Sequence, residues 1–157
     1  MNKMIARLFH ATACATLLMS AASLAVAADP SDARKGVQTT INKVNELLQH
    51  NASARMIADA MYEGDLMITG EGEKVFYRGL TSFMGPLAAY VAGGSRCKLE
   101  VIDPIRHSGN LAVAFVFEHC KAAKSGDKDD DARIMYVFRK GPKGYRATME
   151  LFTWGTF

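Results

Sequence analysis

Few side chains in this sequence could do chemistry, and most interrupt stretches that are otherwise apolar: Glu118 and His119, Tyr136, Glu150 and, upstream, Asp65. An imidazole ionises near neutrality and can carry a proton in either direction, which makes His119 the first candidate for a general base. Asp65, just after Gly64, is the second. Each has an ordinary role to set against this: a strand-end histidine bonded to backbone or solvent, and an aspartate that opens a strand. Neighbours on a strand point to opposite faces, so Glu118 and His119 cannot enter one pocket together. If His119 faces inward, it does so with Val113, Phe115 and Phe117. Glu150 fits a cross-strand ion pair with Arg133 or Arg139 better than acid catalysis.

Metal chemistry finds little support. Asp127, Asp129 and Asp131 alternate as in a calcium loop, but Ala132 stands where the loop needs Gly and Phe138 where it needs a bidentate Glu. The stretch reads as a solvated hairpin tip. His50, His107 and His119 have no metal spacing, and neither a nucleophile elbow nor a phosphate-binding glycine loop occurs. No cofactor is expected.

The cysteines are more specific. A two-residue turn at Ser108-Gly109 sets Cys97 directly opposite Cys120 across a hairpin. A disulfide there would close about 24 residues and contribute roughly 3 kcal/mol on chain-entropy grounds. Counted from a hydrogen-bonded pair at 107 and 110, however, that position is the wider, hydrogen-bonded kind. Bonding therefore calls for a bulge, a different turn or local strain; the other reading is two buried thiols.

The elements that position these residues follow from periodicity. Val37, Ile41, Val44, Leu47 and Leu48 mark one face of a helix over about 31–50. Ser53 can cap a second helix that turns Met56, Ile57, Ala60 and Met61 inward. Residues 65–70 and 75–77 read as a small hairpin. A third helix covers roughly Leu80 to Ala92, opened by Gly79, closed by Gly93-Gly94 and faulted by Pro86. Four longer strands follow, near 96–106, 111–121, 132–140 and 145–156, as two consecutive hairpins. This order predicts an α+β domain: a cone-shaped, curved antiparallel sheet wrapped around about three N-terminal helices.

The beginning of the chain reads differently. Lys3 and Arg7 precede a stretch from about Ala11 to Ala27 without a charged residue, which ends in Ala25-Val26-Ala27-Ala28-Asp29-Pro30. That is the order of a secretory signal peptide, and about 17 apolar residues are fewer than the roughly 20 a membrane anchor needs. Cys14 lies inside the run and not at its end, which argues against lipid modification. Residues 1–28 are thus expected to be a signal peptide and residues 29–157 one exported domain, periplasmic or secreted, with no membrane attachment after cleavage. The chain has 19 basic and 16 acidic residues, and two of the basic ones lie in the leader. The near-neutral remainder, without a basic stripe, gives no footprint for nucleic acid.

The order of elements, with Ala58-Asp59-Ala60-Met61-Tyr62-Glu63-Gly64-Asp65-Leu66-Met67-Ile68, Tyr77-Arg78-Gly79-Leu80-Thr81-Ser82-Phe83, Ser108-Gly109-Asn110-Leu111-Ala112-Val113 and the terminal Met149-Glu150-Leu151-Phe152-Thr153-Trp154, resembles the nuclear transport factor 2-like superfamily, in particular its SnoaL-like and ketosteroid-isomerase-like branches. The resemblance implies a fold that hosts isomerases, cyclases, dehydratases and binding domains alike. It places Gly70 where the isomerase branch has its general base and Met135 where it has its proton donor, and no Tyr occurs between Val37 and Leu48 to supply the other.

Three functions follow as expectations. One is binding of a small hydrophobic molecule in a cone pocket lined by Met61, Tyr62, Phe83, Phe115, Phe117, Tyr136 and Trp154. Another is a lyase or isomerase with His119 or Asp65 as base, which needs at least two titratable groups converging in one cavity. The last is a non-catalytic homodimer built on the outer face of the sheet, as the resemblance implies for many relatives.

Overall fold

The computed structural model describes residues 30–94, 96–122 and 129–155. The expected signal peptide, with Cys14, and most of the acidic tip, including Asp127, lie outside the described residues. Helix α1 spans Pro30–Gln49, α2 Ala54–Met61 and α3 Leu80–Ala92; strands β1 to β6 span Tyr62–Gly70, Tyr77–Arg78, Arg96–Ser108, Leu111–Lys121, Asp130–Gly141 and Gly144–Trp154.

One stripe of α1, Val37, Ile41, Val44 and Leu47, is buried as its spacing predicts. Asn45 grips the start of β3 by both its amide groups, donating to the Leu99 carbonyl at 2.8 Å and accepting from the Leu99 N–H at 2.7 Å. Ser53 caps α2 by accepting from the Met56 N–H. The buried residues of α2 are Ile57, Ala58 and Met61, whereas Met56, expected inward, is 54 % exposed. Helix α3 runs its full length past Pro86.

The six strands form one open, curved sheet in the order β2-β1-β6-β5-β4-β3. All neighbours are antiparallel except β1 and β6, which run parallel. Two register shifts decide which side chains face the helices. In β3, the turn to β4 is Gly109-Asn110, not Ser108-Gly109, since Ser108 pairs with Leu111. A bulge between Ile102 and Arg106 then shifts the register and still sets Cys97 opposite Cys120. The two are joined as a disulfide. In β6, Val137 pairs with Met149 but Phe138 with Ala147, so Thr148 is an extra residue. Before it Tyr145 and Ala147 point inward; beyond it Glu150 and Phe152 do.

The core sits at the end of the sheet covered by α1. Phe138, Ala112, Ala114 and Ala147 are fully buried there. Tyr145, 2 % exposed, lies so close over Gly36 that a Cβ at that position would meet its ring at 2.3 Å.

Candidate functional site

At the other end the inward faces of the same strands do not meet a helix stripe. Glu118 of β4, Ala132, Ile134 and Tyr136 of β5, and Glu150, Phe152 and Trp154 of β6 form the floor of a cavity of about 190 Å³. Phe83, Pro86, Leu87 and Tyr90 of α3 roof it, and Tyr62 and Tyr77 close the β1 side. Trp154 and Glu73, both exposed, mark its rim. Phe152 reaches its place because Gly70 on the neighbouring strand has no side chain; a Cβ there would meet the ring at 2.5 Å.

Hydrogen bonds tie the polar groups into pairs. The Tyr62 hydroxyl donates to Glu150 Oε2 at 2.7 Å, and the Tyr136 hydroxyl lies beside this pair. The Tyr90 hydroxyl donates to Glu118 Oε1 at 2.6 Å and lies 3.7 Å from Cys120 Sγ. Tyr77 donates to Glu73 at the rim, at 3.4 Å.

Glu150 is 7 % exposed. Burial pushes its carboxyl up to about 7, with the charge of Glu118 acting in the same direction and the Tyr62 and Tyr136 hydroxyls opposing. Glu118 is half-buried at the cavity wall, yet enough protein surrounds its carboxyl for burial to raise it too, against the bond from Tyr90. Burial, followed by the neighbouring glutamates, raises Tyr62, Tyr136 and Tyr90 far above the usual phenol range, so all three remain protonated donors. A carboxyl that titrates near neutrality can give or take a proton at physiological pH, and here tyrosine donors hold it in place.

Of the residues predicted from sequence, Tyr62, Phe83, Tyr136 and Trp154 line this cavity. Met61 is 1 % exposed, in the core cluster. The alternation of β4 buries Ala112, Ala114 and Val116 and sends the odd-numbered residues outward: Phe115 is 47 % exposed, and Phe117 stacks on His119 with ring centroids 6.5 Å apart. His119 is hydrogen-bonded through Nδ1 to Asp131, and Asp65 pairs with Arg139 at 2.7 Å on the surface. The structure therefore brings neither His119 nor Asp65 into the cavity. Glu150 does not join the sheet-face ion pair expected of it either, because the extra residue Thr148 turns it inward onto Tyr62, while Arg139 is taken by Asp65.

The glutamates at the centre of the site were thus missed as a pair. The available signal was that Glu118 must face away from His119. Among the described residues, one group of three possible metal ligands occurs, Cys97, Glu118 and Cys120. Its two sulfurs are bonded to each other, so it offers no thiolates to a metal.

No family profile matches the sequence, and no curated protein matches it. Solved structures do. A nuclear transport factor 2-like protein with a cystatin-like fold from Novosphingobium aromaticivorans superposes with a TM-score of 0.62 at 17% identity, over 79% of this chain and 82% of that one. A nuclear transport factor 2-like superfamily protein from Salmonella enterica gives 0.64 at 15% identity, over 82% and 95%. A candidate ketosteroid isomerase from Parabacteroides distasonis gives 0.57 at 11% identity, over 76% and 86%. Three helices against an open, curved six-stranded sheet, matched over most of each chain at such low identity, give this protein the nuclear transport factor 2-like fold.

Proposed function

We propose that residues 29–157 are an exported domain that binds a small, largely apolar molecule in the cavity beneath α3. The observation that carries this is the hollow itself: largely aromatic walls surround about 190 Å³ in one half of a sheet whose other half buries its inward residues beneath α1. An apolar cavity of roughly 150 Å³ is already enough to hold benzene, so the occupant has the size of one or two rings. Trp154 at the rim is the single tryptophan of the chain and reports occupancy directly. Titration with tert-butylbenzene is expected to give a saturable change in its fluorescence that is lost in Ala132→Leu, which fills the floor. A linear response up to the solubility limit, from this probe and from charged analogues of the same shape, rejects the proposal.

Export is supported by the order of charge and hydropathy before Asp29 and by the disulfide, a bond that persists outside the reducing cytosol. No helix among the described residues is long and apolar enough to cross a membrane. Intact mass of the chain recovered from the expressing cells is expected to start at Asp29; a chain that keeps Met1 argues against export.

A second reading is favoured by two titratable carboxyls converging in one cavity: a lyase or isomerase in which Glu150 moves the proton, the role first sought in His119 or Asp65. Its test is deuterium incorporation beside the carbonyl of 2-tetralone, followed by NMR. Acceleration by the protein that Glu150→Gln abolishes supports it, and equal rates in both reject it.

Assembly is supported by the outer face of the sheet. Phe115, Met135 and Leu151 are directly paired across three strands, with Val113, Val137 and Met149 in the next row. Phe115 and Leu151 are 47 % and 42 % exposed. Such a patch suits a second copy of the chain. Sedimentation at micromolar concentration is expected to show a dimer, and Phe115→Glu a monomer; a wild-type monomer overturns this.

A further inference from the structure

The cavity has a one-sided chemistry. Its described lining holds three carboxyls, Glu73, Glu118 and Glu150, and no Lys, Arg or His. Three of the four tyrosine protons are already committed. Tyr62 donates to Glu150, Tyr90 to Glu118 and Tyr77 to Glu73, while the Tyr136 hydroxyl lies beside the Tyr62–Glu150 pair. An ionised carboxylate is a pure acceptor with about four lone-pair positions, so one or two tyrosine bonds leave it with capacity to spare. What the cavity offers a guest is therefore acceptor oxygen and the negative faces of aromatic rings.

We propose that the molecule this cavity takes is an organic cation, an ammonium or substituted ammonium group on a one- or two-ring apolar body, with the charge between Glu118 and Glu150 and the body against Tyr62, Phe83 and Tyr136. Aromatic faces attract cations most where water is excluded, and two carboxylates on the same floor add direct charge attraction. An anionic guest would meet three carboxyls and no cationic partner, whereas a cation between Glu118 and Glu150 favours the ionised form of both. This inference rests on the reading of the cavity as a ligand site.

The test uses three molecules of similar shape on the full mature domain, with Trp154 fluorescence as readout: phenyltrimethylammonium, its neutral isostere tert-butylbenzene, and benzenesulfonate. The cation is expected to bind at least about tenfold more tightly than the isostere, and benzenesulfonate not to bind. In the double variant Glu118→Gln and Glu150→Gln that preference is expected to vanish while tert-butylbenzene still binds, which also shows that the variant is folded. If tert-butylbenzene binds as tightly as phenyltrimethylammonium, or if the preference survives in the double variant, the cation proposal falls and the ligand site stands. If none of the three binds the wild-type domain, both fall.

Discussion

The two ends of this sheet are built from the same strands yet hold together by different means. At the α1 end the inward residues are Ala112, Ala114, Phe138, Tyr145 and Ala147, packed against the helix so closely that Gly36 is needed beneath Tyr145. At the α3 end the inward residues of the same strands are Glu118, Tyr136, Glu150 and Phe152, around a hollow. There the missing packing is replaced by the Cys97–Cys120 bond and the tyrosine–glutamate hydrogen bonds. One end supplies stability and the other accepts a penalty, a buried acid beside open space, of the kind associated with function.

Substitutions can break that contrast. The largest loss is expected from Phe138→Ala at the filled end, about 3–5 kcal/mol by urea denaturation, because a fully buried ring leaves a cavity the packed surroundings cannot close. An equal cost for Ala132→Leu would erase the distinction; at the hollow end the larger side chain has room and is expected to cost less than about 1.5 kcal/mol. Replacing both Cys97 and Cys120 by Ala is expected to remove about 3 kcal/mol, since the bond spans 23 positions of sequence.

The acid at the hollow end should show itself in pH. Its folded value of about 7 lies above the ordinary value of 4.5, so between these pH values the folded state binds more protons than the unfolded one. Glu150 therefore favours the fold most below about pH 4.5, and that advantage is lost as pH rises through 7, by at most about 3 kcal/mol. Glu118, raised in the same direction, steepens the slope. Unfolding curves at pH 5 and pH 8 are expected to differ less for Glu150→Gln than for wild type, with the variant the more stable of the two at pH 8. The smallest effects belong to the outer face: His119→Asn and Asp65→Asn are expected to leave tert-butylbenzene binding unchanged, and a loss in either would mean that the outer face communicates with the cavity.

The contrast also explains what could be read from residue types. Helix α1, the cap at Ser53, the two long hairpins and the facing cysteines are local or additive features, and the sequence showed them. The cavity was harder because it depends on parity. Strand β4 carries its large apolar residues, Val113, Phe115 and Phe117, on the outer face and small alanines on the inner one, where α1 needs close approach. Judged by hydrophobicity alone the strand is turned inside out, and His119 takes the place of Glu118. In β6, strict alternation from the inward Tyr145 sends Glu150 out; only the extra Thr148 brings it in, and no residue type announces such a bulge. A turn at Ser108-Gly109 and the observed turn at Gly109-Asn110 set the same two cysteines face to face, because the bulge in β3 offsets the difference.

That extra threonine makes β6 a strand with two independent settings. Straightening the strand at this one position without losing the residue would exchange Glu150, Phe152 and Trp154 for Met149, Leu151 and Thr153 at the mouth, while everything before it, including the tyrosine seated on Gly36, kept its place. Deleting the threonine outright would instead leave Ala147 and Met149 in consecutive pairs and the same acid at the opening, so it is the kink and not the count of residues that decides between a charged and an oily mouth.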